Sequence, residues 1–100
     1  MLLYSSPGYP EVVKGSDREA INYFMPYILA EARKGGRHNI SFLGGVPTYA
    51  AKDGGFLVWE LSFKAGGGLL DLSFAMFRRP EKGRRGERQM PAVTLGDVLD

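Results

Sequence analysis

The chain has 100 residues, 44% of them hydrophobic, and a formal charge of +2, which suits one domain with one core and leaves too little for a second. It has no cysteine and a single histidine, His38, so disulfides and thiolate or multi-histidine metal sites are excluded. No apolar run approaches the roughly 20 residues that span a bilayer, and residues 1–15 lack the basic start and apolar core of a secretion signal, so a soluble cytoplasmic protein is expected.

Residues 2–4 and 11–14 are short and β-prone, and the SSPGYP between them marks a turn; one or both are expected as an edge strand. Ser16 then opens a helix. It is a good N-cap, Glu19 stands three residues on to complete a capping box, and Asp17 puts negative charge at the positive end of the helix dipole. Ile21, Phe24, Met25, Ile28, Leu29 and Ala32 recur with helical period, and Arg33-Lys34 followed by Gly35-Gly36 ends the element. Pro26 interrupts this stripe. It removes one N–H and crowds the carbonyl of Asn22, which predicts either a kink or a break into two helices.

From His38 the pattern is β. Strands are predicted at 38–43 and 46–51, joined by a Gly44-Gly45 hairpin turn that sets Phe42 opposite Pro47 and Ile40 opposite Tyr49. After a turn at Lys52-Asp53-Gly54, strands at 55–63 and 69–77 follow, with Tyr49 facing Leu57 and Pro47 facing Trp59. In the last two strands Leu57, Trp59, Leu61 and Phe63 alternate on one side, as do Leu70, Leu72, Phe74 and Met76. Pairing Phe63 with Leu70, Leu61 with Leu72, Trp59 with Phe74 and Leu57 with Met76 joins the two apolar faces, with Ala65 to Gly68 as the loop. That register leaves Glu60, Ser62, Asp71 and Ser73 on the other face. The sum is an α+β fold, one long helix packed on a four-stranded antiparallel meander with an N-terminal strand added at an edge. The order resembles that of helix-gripped sheets such as the cystatin and monellin folds. The glutamine-valine-glycine and proline-tryptophan loops of cystatin inhibitors are missing, so the resemblance implies topology and no inhibitory site.

After Phe77 the composition changes to RRPEKGRRGER, predicted as a mobile basic arm over about 78–89 within the single domain. Between Arg78 and Arg88 it carries six basic and two acidic residues. The tail beyond returns to apolar residues, as a short strand at Ala92-Val93 or a helical turn capped by Thr94.

No catalytic, cofactor-binding or metal-binding constellation is expected. The glycines after Lys64 lack the spacing of a phosphate-binding loop and lead into a strand, and no serine stands in a nucleophile elbow. Arg78, Arg79, Lys82, Arg84, Arg85 and Arg88 are the expected partner-binding residues. The leading expectation is a small non-enzymatic binding protein, of the accessory or inhibitory type common in prokaryotes and their phages, that occupies a protein partner's surface with help from the arginines. A direct RNA- or DNA-binding protein using the same arm is the alternative, and a small enzyme using Glu60 and Asp71 is the third. Strands left unpaired at the sheet margins would also allow a homodimer.

Overall fold

A computed structural model describes residues 1–51 and 55–81. In chain order it contains β1 (Leu2–Ser6), β2 (Tyr9–Gly15), α1 (Asp17–Lys34), β3 (Ile40–Ala50), β4 (Phe56–Ala65) and β5 (Gly68–Pro80). The five strands form one antiparallel sheet in the order β2-β1-β5-β4-β3, and α1 covers one face of it.

The helix begins as the sequence dictates. The Ser16 side chain accepts from the Glu19 N–H at 3.2 Å while Glu19 Oε1 accepts from the Ser16 N–H at 2.8 Å, so two of the orphan donors of the first turn are satisfied. It runs as one element through Pro26, so of the two outcomes expected there the break into two helices does not occur. Asn22 and Pro26 are both exposed, so the carbonyl deprived of its bond lies on the solvent side of the helix. A Schellman motif closes the far end: Gly36 adopts φ 100°, and the N–H groups of Gly36 and Arg37 reach the carbonyls of Arg33 and Ala32.

The β4–β5 register is the expected one, with Leu57↔Met76, Trp59↔Phe74, Leu61↔Leu72 and Phe63↔Leu70. The ladder continues to Ala65↔Gly68, so the loop shrinks to Gly66-Gly67, with Gly66 at φ 62° supplying the positive angle that turn needs. These inner-face residues meet Ile21, Phe24, Met25 and Ile28 of the helix in a single core. The Arg18 guanidinium lies 5.0 Å from the centroid of the Trp59 ring and helps cover it.

Three expectations are corrected. Gly44-Gly45 is not a turn, because β3 runs unbroken from Ile40 to Ala50 along β4, and the meander therefore has three strands rather than four. A Cβ on Gly45 would stand 2.6 Å from Leu61 Cδ2, so glycine is required there by close packing, not by φ. Second, register shifts at Leu43 and Thr48 insert a bulge each: Pro47 does face Trp59, but Tyr49 faces Val58 instead of Leu57, and so turns to the sheet's outer face. Third, the N-terminal addition is two strands rather than one: both β-prone segments form strands. They form a hairpin whose first strand inserts beside β5, with Leu2↔Pro80 through Ser5↔Phe77, so the sheet has five strands among the described residues.

Candidate functional site

The extra length of β5 changes the start of the expected basic arm. Arg78 and Arg79 are strand residues paired with Tyr4 and Leu3 of β1. By alternation Arg78 points to the inner face and Arg79 to the outer. The Arg78 Nη1 group donates to both carboxylate oxygens of Asp17, at 3.1 and 3.0 Å, and Nη2 donates to the Ala51 carbonyl at 3.4 Å. Tyr4 donates its phenolic proton to the same Asp17 carboxylate. Burial first, and then the bond and charge of Asp17, push the Tyr4 phenol well above its ordinary value, with Arg78 pulling weakly the other way. Arg78 thus has an internal partner. Arg79 does not: its Nε and Nη2 are out of contact with solvent and have no hydrogen-bond partner among the described residues. Lys82, Arg84, Arg85 and Arg88, and with them the tail strand or turn at Ala92 to Thr94, lie outside the described residues, as does the Lys52-Asp53-Gly54 turn.

Beside Arg79 the outer face of the sheet is apolar. Phe56 and Phe77, a cross-strand pair, bring their ring centroids to 5.3 Å, and Val58↔Ala75 forms the next rung. Tyr49 and Val46 continue the patch onto β3, where they are 56% and 59% exposed. No described element covers this side. The reading of Glu60, Ser62, Asp71 and Ser73 as that face's only residues is therefore incomplete. The signal was in the sequence: Phe56, Val58, Ala75 and Phe77 are apolar at positions where alternation calls for polar residues.

The polar end of the same face holds the two carboxylates. Ser73 Oγ donates to Glu60 Oε2 at 2.6 Å, and Ser62 Oγ donates to Asp71 Oδ1 at 3.1 Å, each across one rung of the ladder. Asp71 is exposed and Glu60 partly so, and among the described residues neither lines the two main hollows of the surface. His38 is exposed on the approach to β3, at a shallow hollow shared with Gly36, Arg37, Asn39, Ala65 and Gly66. Among the described residues no three His, Asp or Glu side chains are grouped to hold a metal ion, and no helix is long and apolar enough to cross a membrane.

No family model matches the chain, and no curated protein or solved structure matches it.

Proposed function

We propose that this is a small, non-enzymatic binding protein that occupies the surface of a protein partner through the outer face of its sheet. The observation that carries this reading is the apolar patch of Phe56, Phe77, Val58, Ala75, Tyr49 and Val46, which lies on the face opposite the helix and is continuous over three strands. Isolated apolar residues are ordinary on any surface, whereas a contiguous group is the usual mark of an interface. Arg79, a strand residue on the outer face at the margin of this patch, adds positive charge there. Arg84, Arg85 and Arg88 would follow as the electrostatic part of the contact, drawing an acidic partner in and orienting it.

In such a role the protein acts as an accessory or an inhibitor, by covering a surface another molecule needs. Tyr49 and Val46 are the residues to change, because their exposure means that replacing them spares the core. The wild-type chain, used as bait in an extract of its native host, is expected to retain one stoichiometric partner. The double variant Val46→Glu, Tyr49→Glu and the charge reversal Arg84→Glu, Arg85→Glu are each expected to lose it. Recovery of nucleic acid instead, with an affinity that falls steeply with salt and vanishes on reversal of Arg84 and Arg85, would favour the nucleic acid reading over this one.

A further inference from the structure

β5 is longer than the strand that pairs with it. β1 accompanies it only from Pro80 back to Phe77, and the hydroxyl of Ser6 makes the last link, to the Ala75 carbonyl at 2.8 Å. The chain then turns away through Pro7-Gly8, with Gly8 at φ 88°, into β2. From residue 68 to residue 74, β5 is consequently paired on the β4 side alone among the described residues, and alternate residues present their N–H and C=O groups to an open edge.

Among the described residues the core is unsealed along this same stretch. Leu70 and Leu72 point to the helix side but are only partly buried, whereas Leu61 and Phe63, opposite them on β4, are fully buried. Between edge and helix lies a cavity of about 260 Å³ lined by Tyr9, Ile28, Ala32, Leu61, Leu72 and Phe74, with Glu31 and Arg37 among its charged wall residues. Burial, reinforced by the Glu31 charge, raises the Tyr9 phenol above its ordinary value.

We propose that residues 68–74 of β5 form a docking slot for one extended peptide segment of a partner protein, which adds a strand to the sheet and drops an apolar side chain into the cavity. The chemistry of the slot selects this occupant. A row of unpaired backbone groups is matched by another extended backbone, and the two-residue repeat of a strand brings alternate side chains to the cavity. A second copy of the chain fits poorly. Antiparallel pairing of two such edges about Asp71 would set the two Asp71 carboxylates against each other and bring the Gly66-Gly67 turn of one copy against the Pro7-Gly8 turn of the other. A short peptide meets neither obstacle. On its outward side the slot offers Leu69, 77% exposed, then Asp71, exposed and bonded only to Ser62 among the described residues, so the peptide that fits is apolar at alternate positions and carries a basic residue opposite Asp71. This surface is separate from the apolar patch on the outer face, and either can fail without the other.

The test uses the full chain, isotope-labelled, and a capped synthetic peptide of sequence TVKVTV as probe. Backbone amides of residues 69–74 that do not bond to β4 are expected to exchange at least about tenfold more slowly when peptide is added, while the edge of β3 is unchanged. The same peptide N-methylated at alternate amides should give no protection. Asp71→Lys, at an exposed position that leaves the core intact, should weaken binding several-fold, and Leu72→Lys should abolish it. Unchanged exchange at saturating peptide overturns the proposal. So does a slot already protected in the free chain, whether by residues 82–100 or by a second copy.

Discussion

Arg78 and Asp17 are 61 positions apart in sequence, and the Arg78 guanidinium donates to both oxygens of the Asp17 carboxylate. The pair fastens the end of β5 to the first turn of α1, where the helix dipole already favours a negative charge. Its side chains are 18% and 37% exposed, so it is shielded enough to matter and wet enough to be discounted. Arg78→Ala is expected to lower stability by about 1–2 kcal/mol in denaturant unfolding. Arg79→Ala should cost less, because Arg79 makes no such bond among the described residues.

The capping box makes a second prediction, with its own control. Ser16→Ala removes the acceptor for the Glu19 N–H and should cost about 1 kcal/mol. Gly15→Ala should disturb the same device from the other side, since a Cβ there would come within 2.5 Å of Glu19 Oε1. Helix content and thermal midpoint should fall in both variants, and combining them should cost less than the sum of the two, as befits one shared device.

Stability should fall in alkali. The phenols of Tyr4 and Tyr9 are raised in the folded chain, chiefly by burial. A raised folded value means that the unfolded chain ionises first. The contribution is complete below the ordinary tyrosine value of about 10 and is lost progressively as pH rises above it. Denaturation midpoints measured across that range should decline for the wild type and decline less for Tyr4→Phe.

Two adjacent glycines separate two reasons for glycine. Gly45→Val should destabilise by about 1–3 kcal/mol, because the new side chain collides with Leu61 and the Glu60 carbonyl. Gly44→Ala should lie within about 0.5 kcal/mol of wild type, since a Cβ there meets nothing within 4 Å. Equal costs would show that β3 does not run straight past this pair.

The same glycines show where the sequence was readable. In β4 and β5 the apolar residues alternate without interruption, and the alternation alone decides which rungs can pair, so the register from Leu57↔Met76 to Phe63↔Leu70 could be read in advance. Gly44-Gly45 could not, because a pair of glycines answers equally to a turn and to a neighbour that leaves no room for a side chain. The bulge at Thr48 was likewise silent, yet it moves Tyr49 from the core side to the outer face and so enlarges the candidate site. Arg78 looked like one more member of a basic run because its partner, Asp17, lies far off in the chain. The slot along β5 has no local signature, since it exists only because β1 ends at Ser6.

The place of β1 between β2 and β5 also governs the order in which the sheet can be completed. The β4–β5 hairpin closes over two residues and β1–β2 over a similarly short turn, so both can form early and alone. Joining them is another matter, because Leu2 must find Pro80 across almost the whole described chain, a closure that pays its entropy before any contact returns it. During synthesis the first hairpin must therefore wait, its inner strand unpaired on one side, until residue 80 has left the ribosome. The seam between β1 and β5 is then the last part of the sheet to close and, by the same reasoning, the first along which it would open.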